Sequence, residues 1–253
     1  MRTRIRAASL AALWHFSGSV FVAALAGALV FGVWYPYPYQ DLAGGRELFW
    51  LVIGVDVLTG PLLTLVIFAP EKTRNELMRD LALVVTIQIC ALGYGVWSVW
   101  QARPLFLVAE IDRFKVIAQP ALSEDALSSL NPALVPSFFH GPITVAIRAP
   151  VDEQERKRVL FESIAGGRDY GERPEFYVPY EGVNAQKSLI RAKPISAFLE
   201  KSPDQSKALD ALVVSMKTGQ DELMYLPIIA RRPWVAILDK KGMVVGYLPG
   251  DGF

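Results

Sequence analysis

Asp56 is the residue in this sequence most able to do chemistry, because it is the single charge in the apolar stretch LFWLVIGVDVLTGPLLTLVIFA. An ionisable side chain in a bilayer centre costs about 2.5–3.5 kcal/mol on insertion scales, so we expect it to face protein or water and to have a partner. Thr59 and Gly60 follow Asp56 at the spacing that places them on its helix face. Pro61 lacks an N–H and leaves one helical carbonyl unpaired, which predicts a kink beside the acid.

Two interpretations of Asp56 follow from this pattern. In the first, a neutral or hydrogen-bonded Asp56 ties the apolar segments of the chain together. In the second, the face of Asp56 contacts the transmembrane helix of a partner protein. Counting residues from the ends of each apolar segment predicts that Tyr94 and Ser19 lie at the depth of Asp56, while His15 and Gln88 match less well.

The sequence offers few other groups for catalysis or metal binding. Cys90 is the only cysteine, so no intramolecular disulfide is possible, and its apolar surroundings favour a small packed side chain over a reactive thiol. His140 has no cysteine in its half of the chain, which argues against a metal site. The glycines of AGGRDYGERPE follow a predicted helix, whereas phosphate-binding glycines precede one. We therefore expect no enzymatic activity, no cofactor and no metal.

Three apolar segments, residues 10–34, 48–69 and 81–102, are each long enough to cross a hydrocarbon core of about 30 Å. The basic start MRTRIR and the small residues of ALAGA resemble a signal peptide. However, the first apolar run is longer than the usual signal-peptide core of about 7–15 residues, which favours a retained helix. The sequence thus predicts a three-span transmembrane domain over residues 1–103.

The distribution of basic residues predicts the orientation of these spans. Clusters of Arg and Lys precede the first span and lie between the second and third, whereas the first connection has Arg46 alone. The positive-inside rule then places the N-terminus in the cytoplasm and everything after the third span on the far side of the membrane. Tyr37 and Tyr39 in the first connection are expected to be anchors at the outer membrane interface.

Residues 104–253 have ordinary globular composition, with 18 basic and 19 acidic residues, and form the predicted extracytoplasmic domain. The pattern of strands and helices predicts an α+β domain with helices on one face of an antiparallel sheet. The expected elements include one strand over residues 105–117, a short helix with Ser123 as its N-cap, a helix over 184–201 broken near Pro194, and a C-terminal hairpin. The near-neutral net charge of +1 argues against nucleic-acid binding.

Glu110, Asp112 and Arg113 lie just after the third span, in the stretch that opens the C-terminal domain. Most such charges form a solvated face or a local ion pair. The alternative is a contact with the globular domain of a partner protein.

Three motifs together resemble the type IV pilin accessory protein family, the TfpX/TfpZ group. They are the WYP exit of the first span, the GVDVLTGPLLTL core of the second and the QARP entry into the C-terminal domain, with the closing VVGYLPGD hairpin as a weaker match. The similarity is dense over residues 30–118. The resemblance implies a bacterial inner-membrane protein with a periplasmic domain that helps its cognate major pilin assemble into pili. It implies no established catalytic residues.

The function expected from this resemblance is chaperone-like binding of the major type IV pilin, with other inner-membrane pilus assembly proteins and the lipid bilayer as further partners. In that setting Asp56, Thr59, Gly60, Pro61 and Tyr94 would contact the pilin's apolar helix, with Asp56 near its terminal amine. The alternatives are a membrane enzyme that modifies pilin, such as a glycosyltransferase, and an extracytoplasmic ligand sensor. The short cytoplasmic segments argue against the sensor, because they leave no room for an output module.

Overall fold

The computed structural model describes residues 2–122, 124–128 and 130–253. The chain divides into two compact units. The first unit comprises residues up to Pro36 together with Gly45–Ala102, and the second comprises Tyr37–Gly44 together with Arg103–Phe253. The connection between the first two apolar segments is therefore shared between the units.

The first unit consists of three long helices. They are α1 (Arg2–Leu29), which continues as a π-helical turn over Val30–Trp34, then α3 (Gly45–Ile67) and α4 (Arg74–Gln101). The four-residue α2 (Tyr39–Leu42) belongs to the second unit. By length and composition, each long helix is able to cross a membrane, which confirms the expected three apolar helices.

α3 is the central helix of this unit and contacts both α1 and α4. Its buried residues, which include Phe49, Ile53 and Thr64, recur at the spacing of one helix face. A Cβ atom at Gly95 of α4 would lie 2.2 Å from Val52 Cγ1, so this glycine allows α3 and α4 to approach closely.

An eight-stranded sheet forms the centre of the second unit, with the strand order β4-β3-β1-β2-β6-β7-β8 and β5 paired with β6. β1 pairs with β3 and β2 pairs with β6 in parallel, while the other pairs are antiparallel. The α+β class is confirmed, and the sheet is mixed where a purely antiparallel sheet was expected. The strands are β1 (Pro104–Ala109), β2 (Phe114–Ala118), β3 (Ile143–Ile147), β4 (Tyr177–Pro179), β5 (Lys193–Pro194), β6 (Met224–Ile229), β7 (Trp234–Leu238) and β8 (Val244–Pro249).

Helices cover both faces of the sheet, whereas one covered face was expected. Tyr39 and Leu42 of α2 pack on one face with residues of α7, β6 and β7. Residues of α8 and α9 pack on the opposite face against β6, β7 and β8. The helices of this unit are α5 (Glu124–Ser128), α6 (Glu153–Ile164), α7 (Gly182–Ser188), α8 (Ile195–Lys201) and α9 (Ser206–Met216).

Two segments differ from the expected elements. Residues 105–117 form the hairpin β1–β2 and not one strand, because the chain turns where the Glu110 N–H donates to the Arg113 carbonyl at 2.8 Å. Residues 184–201 form α7, the short β5 and α8 in place of one broken helix, because Pro194 pairs in the sheet and precedes α8. The expected cap Ser123 lies outside the described residues.

Tyr39 is also placed differently from the expectation of a membrane-interface anchor. Its side chain is 5% exposed, Leu42 is fully buried, and both belong to the core of the second unit. The Arg232 N–H donates to the Leu42 carbonyl at 3.2 Å, which joins α2 to the start of the last hairpin. Tyr37, by contrast, remains 63% exposed.

Candidate functional site

A polar cluster lies inside the apolar three-helix unit, and Asp56 is at its centre. Asp56 lies midway along α3, one turn before the buried Gly60 and two turns before the buried Thr64. Its side chain is half-buried. The Oδ1 atom is inaccessible to solvent and has no hydrogen-bond partner among the described residues. An acceptor in this condition costs about 1–3 kcal/mol, so a donor that reached it would be bound favourably.

Gln88 of α4 is a polar neighbour of this part of α3. Its Nε2 donates to the backbone carbonyl of Asp56 at 3.0 Å. The Gln88 side chain is 9% exposed, and its Oε1 is a second buried acceptor for which the described part of the chain supplies no donor. A Cβ atom at Gly60 would lie 2.0–2.2 Å from the Gln88 amide, so the glycine provides the space that the amide occupies.

His15 of α1 adds a contact from the remaining helix. Its Nδ1 lies 2.5 Å from the Thr64 hydroxyl, and Thr64 is 1% exposed. Polar side chains of all three helices therefore meet along the inner face of α3. This arrangement ties the helices together and also leaves two buried oxygen acceptors, on Asp56 and Gln88, with unused capacity.

The other residues expected in this site lie apart from the buried cluster. Tyr94 is 70% exposed and contacts the ring of Trp97 at a centroid distance of 5.8 Å. Thr59 is exposed, and Pro61 is half-buried within α3, which continues as a helix to Ile67.

The depth of residues along each helix predicts Tyr94, and not Gln88, as the neighbour of Asp56. This prediction is wrong because depth does not indicate which way a side chain points. The residue type of Gln88 could have identified it from the sequence, since it is the one side-chain amide between residues 81 and 100.

Glu110, Asp112 and Arg113 lie at the turn between β1 and β2 in the second unit. Arg113 donates from Nε and Nη2 to the two carboxylate oxygens of Asp112, at 2.7 and 2.9 Å. Its guanidinium carbon also lies 5.2 Å from the centre of the Phe253 ring. Asp112 and Arg113 thus form a local ion pair at the surface.

Glu110 is more buried than its neighbours, and burial raises the pKa of its carboxyl although Lys115 and Arg113 act in the opposite direction. A Cβ atom at Gly171 would lie 2.4 Å from Glu110 Oε1, so the glycine makes room for the carboxylate. Lys115 pairs with Glu172 at 2.9 Å. The arrangement is a set of partly buried charges around the turn between β1 and β2, with ion pairs within the chain.

The sequence matches known proteins over nearly its whole length. Residues 3–44 match the family model described as "Fimbrial assembly protein FimB". The chain is 33% identical to "Fimbrial assembly protein, serogroup I" and 31% identical to "Fimbrial assembly protein, serogroup E1", both from Dichelobacter nodosus. Each match spans 242 residues, which is 94% of this chain and 93% of the relative.

A third relative, "Fimbrial assembly protein, serogroups C1 and C2" from the same organism, is 41% identical over 113 residues. That match covers 45% of this chain and 86% of the relative. No solved structure matches the chain. Two relatives above 30% identity along nearly the full length of both proteins establish the relationship, and the chain belongs to the fimbrial assembly protein family.

Proposed function

We propose that this protein is a bacterial inner-membrane accessory factor that binds its cognate major type IV pilin and promotes pilin assembly into pili. The observation that supports this proposal most strongly is the match, over 94% of the chain, to relatives named as fimbrial assembly proteins. The WYP, GVDVLTGPLLTL and QARP motifs support the finer placement in the TfpX/TfpZ group. The proposed action is chaperone-like binding, with no catalytic step.

The proposed orientation has the N-terminus in the cytoplasm and the second unit in the periplasm. Arg4 and Arg6 at the start of α1, and Lys72, Arg74 and Arg79 around the connection between α3 and α4, support it through the positive-inside rule. In this orientation the mixed sheet would be available to the pilin's globular domain and to other assembly proteins. Glu110, Asp112 and Arg113 are the candidate contacts there.

Within the bilayer, we assign pilin binding to the face of α3 that bears Asp56. Asp56 Oδ1 and Gln88 Oε1 are buried acceptors that lack donors among the described residues. A pilin helix carrying a cationic or hydrogen-bonding group at this depth would supply a donor where water is scarce. Thr59 and Tyr94 are exposed on their helices and would contribute contacts on the lipid-facing side.

Asp56→Asn tests this assignment, because asparagine keeps the size of the side chain and removes its charge. We expect the variant to accumulate in the membrane as the wild type does and to co-purify with less pilin. Thr86→Ala is the matched control, since it removes an exposed hydroxyl of α4 that bonds only locally to the Ala82 carbonyl at 2.8 Å. Unchanged pilin capture and piliation in Asp56→Leu would show that the assignment is wrong.

Deletion of the gene tests the function itself. We expect fewer surface pili at an unchanged pilin level if the protein promotes assembly, and a fall in both if it stabilises the pool of subunits. Unchanged piliation would refute both forms of the proposal.

A further inference from the structure

β8 is an edge of the sheet that is only partly protected against further pairing, by Pro249 at its end. It has six residues, VVGYLP, none of which is charged, and it pairs with β7 on one side. Natural edge strands are commonly short or carry charges and prolines that prevent another strand from adding. The opposite edge, β4, has only three residues, whereas β8 has six.

The register of the hairpin shows which backbone groups of β8 point outward. Leu248 and Gly246 face Val235 and Ile237, and the Gly250 N–H donates to the Pro233 carbonyl at 3.1 Å. Because hydrogen-bonded pairs alternate in an antiparallel ladder, Pro249 and Tyr247 both face away from β7. Pro249 has no N–H to offer, so Tyr247 is the residue that turns both its N–H and its C=O outward. Across the described ranges, no hydrogen bond reaches these two groups from the open side.

A surface cleft of about 360 Å³ runs along this edge, lined by Val244–Leu248, Tyr37, Ala208 and Leu212. Tyr37 lies on one side of the sheet, where its ring contacts Trp234 at a centroid distance of 6.1 Å. Leu212 of α9 lies on the other side and packs directly over Gly246, where a Cβ atom would be 2.0 Å from its Cδ1. The unpaired edge is therefore flanked by apolar side chains on both sides.

The shape and chemistry of the cleft are suited to an extended peptide. Unpaired N–H and C=O groups along a strand are satisfied by another extended main chain, and apolar walls favour uncharged side chains.

We infer that β8 binds an extended, uncharged segment of the pilin subunit as an added strand. The identity of this partner rests on the proposed function, whereas the mode of binding rests on the edge and its cleft. Strand addition would give the second unit a contact with pilin that is independent of the Asp56 cluster.

Photo-cross-linking tests the location of this contact. Benzoylphenylalanine is placed at Tyr37 beside the cleft or, as a control, at Phe161 of α6, since the two aromatic residues are 63% and 67% exposed. The full-length protein is purified from irradiated cells that express the cognate pilin. We expect a pilin adduct from position 37 that maps to one extended segment, and at least a several-fold lower yield from position 161. An adduct with a second copy of this protein would overturn the inference.

Hydrogen exchange of the unmodified protein tests the mode of binding. We expect pilin to slow amide exchange in the peptide that contains Val244–Pro249 and to leave the other edge, Tyr177–Pro179, unchanged. If pilin co-purifies and β8 exchange does not change, strand addition is wrong while the proposed function stands. If pilin does not co-purify with the wild-type protein, the proposed function fails and the inference fails with it.

Discussion

At the scale of single residues, Gly60 controls how closely α4 can approach α3. The Gln88 amide fills the space where a side chain at position 60 would begin. The hydrogen bond from Gln88 to the Asp56 carbonyl therefore depends on Gly60 having no side chain.

Gly60→Val should destabilise the three-helix unit, because Cβ and its methyl groups would displace the Gln88 amide. Overpacking of this kind costs about 1–3 kcal/mol. Gly54→Val on the same helix is the matched control, since no heavy atom lies within 4 Å of its Cβ position. Thermal unfolding in detergent should show a lower midpoint for Gly60→Val than for Gly54→Val, and equal midpoints would contradict the packing described here.

Glu155 is the carboxyl in α6 that we expect to contribute to the acid sensitivity of the second unit. Arg148 donates two hydrogen bonds to its carboxylate at 2.9 and 3.0 Å, and the Val151 N–H donates a third at 2.7 Å. These contacts lower the pKa of Glu155 from 4.5 to about 2. A carboxyl with a lowered pKa stabilises the fold above its ordinary pKa, and this contribution is lost as the pH falls from 4.5 towards 2.

Glu155→Gln should therefore lower stability at neutral pH and flatten the loss of stability between pH 4.5 and 2. The measurement is the urea midpoint at a series of pH values. Glu153→Gln is the control, because Glu153 pairs with Lys157 at 3.0 Å in an exposed position of the same helix. A wild-type slope in Glu155→Gln would mean that other carboxyls dominate the acid response.

At the scale of elements, α2 stabilises the second unit by adding Tyr39 and Leu42 to its core, although most of that unit follows α4 in the sequence. Leu42→Ala should destabilise the second unit by about 2–5 kcal/mol, as expected for a fully buried leucine. Ile190→Ala removes a side chain of similar volume from a position that is 77% exposed, and it should have little effect. Limited proteolysis of the membrane-bound protein provides the comparison, and equal cleavage rates would argue against this role for α2.

The three apolar helices were predictable because hydrophobic length is a property of local sequence. The last hairpin, β7–β8, was predictable for the same reason, since two apolar runs flank a turn at Asp239–Gly242. The place of Tyr39 was not predictable, because aromatic residues beside a span are usual both at a membrane interface and in a core. The Gln88 contact also escaped prediction, because it depends on how α3 and α4 pack and on their rotation about their axes.

At the scale of the whole molecule, the proposed orientation predicts which positions are accessible from the periplasmic side of the inner membrane. In a Cys90→Ser background, Lys241→Cys in the last hairpin should react with a membrane-impermeant maleimide in cells with a permeabilised outer membrane. Glu71→Cys, between α3 and α4, should react only after the inner membrane is disrupted. Both positions are exposed, so a difference in labelling reports sidedness. The reverse labelling pattern would show that the protein has the opposite orientation in the membrane.

The burial of Tyr39 and Leu42 in the second unit also determines when its core can form during biosynthesis. The ribosome makes these residues before any strand of the sheet, yet the Leu42 carbonyl bonds to the Arg232 N–H, near the end of the chain. At about 5–20 residues per second, the early segment waits on the order of 10 to 40 seconds for its partners. A nascent chain stopped before Arg232 cannot close this core, so prematurely terminated products should be readily cleaved by proteases.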